Sequence, residues 1–93
     1  MEEITVREKV HQHRLIPTTH FIQRIIERGI DLDDIYHIIN TEYSRIRLYC
    51  NCGKVAYISD RLTFVFEVRV NDIILITAID EKKNNPKVEM VVM

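Results

Sequence analysis

Tryptophan is missing from this 93-residue chain, and glycine, proline and cysteine occur only twice each. So few glycines and prolines exclude a low-complexity chain, and an apolar fraction of 46% is enough for one packed core. Two cysteines, Cys50 and Cys52, are too few for a disulfide framework, and we expect both thiols to be free. The composition predicts a single domain over residues 1–93 that needs no disulfide, metal or cofactor in order to fold.

Long hydrophobic runs and an excess of one charge are missing too. No stretch approaches the roughly 18 apolar residues that a membrane helix needs, and the N-terminus is acidic where a signal peptide is basic. We therefore expect a cytoplasmic protein with no membrane partner. The formal net charge of −1 gives no global field that would drive non-specific binding to nucleic acid. Residues 7–28 are nevertheless locally basic, with five Lys or Arg against two Glu.

Two amphipathic helices are predicted in the first half of the chain. On a helix over residues 20–28, one side holds the apolar residues Phe21, Ile22, Ile25 and Ile26. Thr18 or Thr19 can cap its start, and Gly29 can end it because glycine adopts positive φ without steric cost. Asp31 caps a second helix, predicted over residues 32–39, whose apolar side holds Leu32, Ile35, Tyr36, Ile38 and Ile39. The short link between them predicts a helical hairpin.

Beyond residue 42 the apolar period changes from helical to alternating, which predicts strands. Residues 45–50 and 54–59 predict one hairpin, and residues 62–70 and 73–80 predict a second. A two-residue turn at Asn71 and Asp72 sets the register of the second hairpin, with the facing pairs Val70 and Ile73, Val68 and Leu75, Phe66 and Thr77, Phe64 and Ile79. Residues 88–92 predict an edge strand. Residues 1–16 suit either a strand, through Ile4, Val6 and Val10, or a short helix.

Together these elements predict an α+β fold in which a two-helix hairpin packs on one face of a four- to five-stranded twisted antiparallel sheet. On the other face of the sheet, Arg69 lies beside Ile74 and Glu67 beside Ile76. We call this surface the Ile74/Ile76 face. The N-terminal segment, residues 88–93 or a partner chain could cover it.

The polar side of the first helix is a candidate site. His20, Arg24 and Arg28 follow one another at intervals of four residues, so that an imidazole lies beside two permanent cations. Imidazole transfers protons near neutral pH, and guanidinium groups stabilise charge on a phosphoryl group. The alternative is a solvated helix face on which the arginines pair with Glu27 or with acidic residues of the second helix.

Two further sets of polar residues suggest binding. Arg45, Arg47 and Tyr49 alternate onto one face of a predicted strand, where two cations and an aromatic ring could follow a nucleic-acid backbone, or simply lie over neighbouring strands. His11, His13, Cys50 and Cys52 could furnish four zinc ligands, but neither pair has a zinc-finger spacing, and we expect no metal site.

The run from His20 to Ile30, followed by Asp33-Asp34-Ile35 and by a strand ending in Ile74-Leu75-Ile76-Thr77-Ala78, resembles the family called domain of unknown function 4258. The resemblance covers roughly residues 18–80. That family is similar to the RelE and ParE group of small toxins, and relatives have been placed among metal-independent ribonucleases. The resemblance implies a RelE-like fold and carries His20, Arg24 and Arg28 over as the polar helix positions, with Thr77 as the hydroxyl residue of the last core strand. The chain departs from the family at Phe21 and in its slightly acidic charge.

The sequence leaves two functions open. One is a toxin-like, metal-independent endoribonuclease or RNA-binding protein of the RelE-like type, with RNA as a partner and with a cognate antitoxin bound through the Ile74/Ile76 face. The other is a catalytically silent interaction module that forms a homodimer, or binds a partner protein, through the Ile74/Ile76 face. Neither the RNA substrate nor the oligomeric state follows from the sequence.

Overall fold

The computed structural model describes residues 9–10, 12–60, 62–79 and 88–93. Its strands are β1 (Lys9–Val10), β2 (His13–Pro17), β3 (Lys54–Ile58), β4 (Thr63–Val68), β5 (Asp72–Ile79) and β6 (Glu89–Val92). Its helices are α1 (Thr19–Arg28), α2 (Leu32–Thr41) and α3 (Tyr43–Ile46), and a 3₁₀ turn (Arg47–Tyr49) follows α3. The predicted α+β class is confirmed.

Both predicted helix starts and the end of α1 follow from local capping. The Thr18 hydroxyl accepts a hydrogen bond from the Phe21 N–H at 3.1 Å, and the Asp31 carboxylate accepts one from the Asp33 N–H at 2.9 Å. Gly29 ends α1 with φ 64° and ψ 30°, and its N–H donates to carbonyls of the preceding turn. These caps satisfy backbone groups that a helix end otherwise leaves unpaired.

Among the described residues three helices, rather than the predicted two-helix hairpin, cover one face of the sheet and share one core with it. Phe21 and Ile25 of α1, Ile35 and Ile39 of α2 and Ile46 of α3 pack against inward residues of the strands. The predicted apolar side of α2 is confirmed, since its other members pack against this core. Ile26 is the exception on α1, because its side chain is 74% exposed.

The predicted strand over residues 45–50 is wrong, because this segment forms α3 and the 3₁₀ turn. Its alternation of Arg, Ile, Arg and Leu resembles a strand, but its inward residues continue the helical spacing of α2. Ile39, Tyr43, Ile46 and Cys50 recur every three or four residues and all contact the core. The predicted hairpin of residues 45–50 with 54–59 is therefore absent, and β3 pairs instead with β4 and β6.

The sheet is mixed, with the strand order β1-β2-β5-β4-β3-β6. The prediction of a wholly antiparallel sheet is wrong because β2 pairs in parallel with β5, aligning Leu15 with Ile73. The edge strand predicted at residues 88–92 is confirmed as β6. Of the predicted first element, β1 and β2 are observed, whereas Ile4 and Val6 lie outside the described residues.

The predicted register of β4 with β5 is also wrong. The turn lies one residue earlier than predicted, closed by a hydrogen bond of 2.7 Å from the Arg69 N–H to the Asp72 carbonyl, so Val68 faces Ile73. An irregularity then places Phe66 opposite Leu75 but Val65 opposite Thr77, leaving Ile76 as the extra residue. Beyond it Ala78 rather than Thr77 or Ile79 enters the core, and Val70 is 69% exposed.

The second face of the sheet, away from the helices, carries the residues that alternate along each strand with the core residues. Ile16 lies beside Ile74 there, and buried Ala56 and Val65 are neighbours on β3 and β4. Ile74 and Ile76 are half-buried rather than fully exposed as predicted. The Ile74/Ile76 face is thus part of a wider apolar surface.

Replacement of Gly29 tests the α1 end. Gly29→Ala should lower the free energy of unfolding by about 1–2 kcal/mol, because a Cβ makes the left-handed conformation costly. Gly29→Asn should cost less, because asparagine tolerates this conformation. Urea unfolding of the three proteins measures both differences, and a Gly29→Ala protein as stable as the original would contradict the assignment.

The Tyr57 ring lies in the core, stacked on Phe64 with centroids 4.9 Å apart. Burial raises the pKa of the Tyr57 hydroxyl above its ordinary value of 10.0, and the carboxylates of Glu42 and Asp60 raise it further. A raised folded-state pKa contributes stability that is present below pH 10 and is lost as the pH rises through the folded-state value.

Tyr57→Phe should therefore reduce the loss of stability above pH 10 while leaving the pH dependence near neutrality unchanged. Chemical denaturation at a series of pH values gives the slope of the free energy of unfolding against pH for each protein. The difference between the two slopes removes the contribution of the residues that titrate in both proteins. Equal alkaline slopes would show that Tyr57 titrates alike in the folded and unfolded chains.

Candidate functional site

The polar side of α1 places His20 and Arg24 in contact. The Arg24 Nε donates a hydrogen bond of 3.4 Å to His20 Nε2, and Arg24 Nη1 forms an ion pair of 3.0 Å with Glu27. Arg28 is exposed in the last turn of the helix. The three basic residues thus form an exposed stripe along α1, with Glu27 holding the middle guanidinium.

This geometry bears on proton transfer at His20. Because an arginine Nε can only donate, His20 Nε2 accepts this hydrogen bond with its lone pair. A general base takes a proton with the same lone pair, so His20 would act as one only after the Arg24 hydrogen bond breaks. Arg24 keeps Nη2 without a hydrogen bond to any described residue, so part of its guanidinium remains available to an anion.

Thr18 anchors the start of α1 to the sheet. Its hydroxyl lies 3.0 Å from the Leu75 carbonyl and 3.2 Å from the Ile76 carbonyl, and its N–H donates to the Leu75 carbonyl at 3.0 Å. The same hydroxyl caps the helix through Phe21. One side chain therefore sets both where α1 begins and where its first turn, with His20, lies against β5.

Thr77 is not brought to this stripe by any hydrogen bond among the described residues. It pairs with Val65, and because its neighbour Ala78 enters the core, Thr77 belongs to the second face of the sheet. The extra residue Ile76 causes this placement. The grouping of Thr77 with the three helical residues was implied by the family resemblance alone.

Arg45, Arg47 and Tyr49 do not share a strand face, because all three are helical. Arg45 is exposed in α3 and forms an ion pair of 2.7 Å with Glu42. Arg47 is exposed in the 3₁₀ turn, whereas Tyr49 packs against the core. The strand face that was predicted to follow a nucleic-acid backbone is therefore not formed. A role of these residues in binding stays a prediction.

The histidine and cysteines of the zinc hypothesis have different surroundings. His13 is buried, with Nδ1 2.6 Å from the Tyr43 hydroxyl, and its Nε2 has no partner in the described part of the chain. Cys50 is half-buried and Cys52 is exposed. His11 lies outside the described residues, and among those described no three His, Cys, Asp or Glu side chains gather where they could hold a metal ion.

A cleft of about 560 Å³ on the second face of the sheet was not predicted from the sequence. Two ion pairs lie in it, Arg14 with Asp72 at 2.9 Å and Arg69 with Glu67 at 2.7 Å. The cleft is lined by residues from three segments of the chain: Arg14, Asn51, Gly53, Glu67, Arg69, Val70, Asn71 and Asp72. Since the parallel pairing of β2 with β5 brings these segments together, no local spacing in the sequence could have indicated them.

Comparison with models of known families, with curated proteins and with solved structures gave no match. The resemblance described from the residues around His20 therefore stays a prediction. Among the described residues, none of the helices has the length and apolar character needed to cross a bilayer.

Proposed function

We propose that this protein is a toxin-like, metal-independent endoribonuclease or RNA-binding protein of the RelE-like type, with His20, Arg24 and Arg28 as its site. The observation that carries the proposal is the contact between Arg24 Nε and His20 Nε2 on an exposed helix face. It places a proton acceptor next to a cation, which is the combination that cleavage at a 2′-hydroxyl requires.

In the proposed reaction His20 takes the proton of the 2′-hydroxyl, and the 2′-oxygen attacks phosphorus. The bond to the 5′-oxygen then breaks, giving a 2′,3′-cyclic phosphate and a 5′-hydroxyl end. Arg24 and Arg28 stabilise the charge that builds up on the phosphoryl oxygens in the transition state. A proton from water reaches the leaving 5′-oxygen, and the protonated imidazole releases its proton to water, so the residue returns to its starting state.

The stripe is compatible with a nearly neutral chain, because RNA contacts depend on local rather than total charge. Arg28 forms no ion pair with any described residue, and Arg24 is only partly satisfied by Glu27. The N-terminus of α1 carries no acidic residue in its first turn, so nothing in that turn repels a phosphate near His20. As a toxin-like ribonuclease the protein would also have a cognate antitoxin as a partner, bound through the Ile74/Ile76 face.

Substitutions on α1 test the proposal directly. His20→Ala and Arg24→Gln should each lower cleavage of single-stranded RNA by about 100-fold or more, because general acid–base catalysis and charge stabilisation contribute at least that much. The assay uses purified protein with excess chelator and follows the formation of cyclic-phosphate ends.

A matched control separates the site from the general loss of a surface histidine. His37→Gln removes an exposed histidine from α2 and should retain full activity. If no RNA is cleaved or bound, or if this control loses as much activity as the α1 variants, the proposed site is wrong.

The apolar second face favours a different function, self-association without catalysis. Ile16 and Ile74 lie side by side there, and β6 is an edge strand whose Val91 and Val92 are 45% and 49% exposed. Val91 pairs with Ala56 and therefore lies on the same face of the sheet as Ile74. A second copy of this protein that packs its own second face against this one would bury Ile74 and Val91 of both chains.

Solution mass distinguishes the two functions. Ile74→Lys and Val91→Lys should each turn a dimer into a monomer, since either places a charge in the apolar contact, while Ile26→Lys on exposed α1 should leave the mass unchanged. Sedimentation equilibrium over a range of concentrations gives the masses. An original protein that is already monomeric would rule out self-association.

A further inference from the structure

We infer that the cleft between β2, the β4–β5 turn and the loop before β3 binds a terminal phosphate group, as carried by a small phosphomonoester such as a nucleoside 5′-monophosphate. The arrangement of the two arginines in the cleft carries this inference. None of the residues belongs to α1, so the inference does not depend on the proposed ribonuclease function.

Each arginine in the cleft is held by one nitrogen and leaves the others available. Arg14 and Arg69 both donate through Nε, to Asp72 and to Glu67. The Nη atoms of both guanidinium groups have no hydrogen bond to any residue that the structure describes. A guanidinium oriented at Nε presents its paired Nη groups as a fork, which matches two oxygens of a phosphate.

The cations form the outer layer of the cleft and the carboxylates the inner one. The side chains of Arg14 and Arg69 are 57% and 60% exposed, whereas those of Asp72 and Glu67 are 23% and 24% exposed. An incoming anion therefore meets guanidinium groups before it meets a carboxylate. Lys54, exposed and aligned with Glu67 on the neighbouring strand, adds a further positive charge next to this layer.

The cleft is held open by backbone hydrogen bonds rather than by its side chains. The Arg14 N–H donates to the Asn71 carbonyl and the Asn51 N–H to the Val68 carbonyl, each at 2.9 Å. Asn51 itself adopts a φ of 61°, which positions the loop that forms one wall. This fixed frame means that a ligand would not have to order the cleft on binding.

Charge favours a phosphomonoester over a phosphodiester. A terminal phosphate has three non-bridging oxygens and nearly two negative charges at neutral pH, against two such oxygens and one charge in a diester, which suits two outward-facing guanidinium groups. The side-chain amides of Asn51 and Asn71, which line the cleft and make no hydrogen bond within the described residues, add further donors.

Calorimetric titration with adenosine 5′-monophosphate and with inorganic phosphate, at constant ionic strength, tests the inference. Saturable binding of both is expected, and Arg14→Gln and Arg69→Gln should each weaken it about tenfold or more, because charge-assisted hydrogen bonds are lost. Arg14→Lys and Arg69→Lys should also weaken it, since they keep the charge but lose the fork. These two lysine variants preserve the test if a glutamine variant fails to fold.

Arg45→Gln is the matched control, because it removes an arginine with a similar exposure and a similar ion pair outside the cleft. It should bind phosphate as the original protein does. Adenylyl-3′,5′-adenosine, a phosphodiester without a terminal phosphate, should bind at least tenfold more weakly than the monophosphate. The inference is overturned if no binding saturates, if Arg45→Gln loses as much as the cleft variants, or if the diester binds as tightly as the monoester.

Discussion

The parallel pairing of β2 with β5 is the constraint on which the rest of this structure depends. It places a strand from the start of the chain beside one from near its end and aligns Leu15 with Ile73 in the core. Immediately after β2, Thr18 bonds to the carbonyls of Leu75 and Ile76 and starts α1. The same pairing sets Arg14 next to Asp72 at the other end of the strand. Both candidate sites therefore depend on one long-range contact.

How much of this fold could be predicted from the sequence depends on the range of the interaction. The helix caps at Thr18, Asp31 and Gly29 act within a few residues, and all three were predictable for that reason. The alternating core positions Phe64, Phe66 and Val68 were predictable as well, since alternation is a property of a single strand. The parallel pairing was not, because it joins segments more than fifty residues apart and leaves no periodic signal at either end.

Two errors in the strand region have separate physical causes. Residues 45–50 satisfied both a period of two and a helical period, and their continuation from Ile39 through Tyr43 decided for the helix. The predicted register of β4 with β5 is wrong first because the turn lies one residue earlier, which pairs Val68 with Ile73, and one extra residue, Ile76, then shifts the pairs beyond Phe66 again. The two candidate sites also differ in how far they could be predicted. The α1 stripe lies on one helix, so its residues could be predicted from their spacing in the sequence. The cleft combines three segments of the chain and could not be predicted in this way.

The charged side chains of this molecule contribute little to its stability, and their main effect is on what its surface can bind. The four ion pairs found among the described residues are all at least partly exposed, and such pairs contribute only about 0–1 kcal/mol each to folding. The core that does stabilise the fold is apolar and contains aromatic contacts such as that of Phe64 with Phe66. Carboxylates beside Arg14, Arg24 and Arg69 thus serve mainly to orient guanidinium groups. An oriented guanidinium loses less freedom when it binds an anion, so a chain with almost no net charge can still present local sites for phosphate.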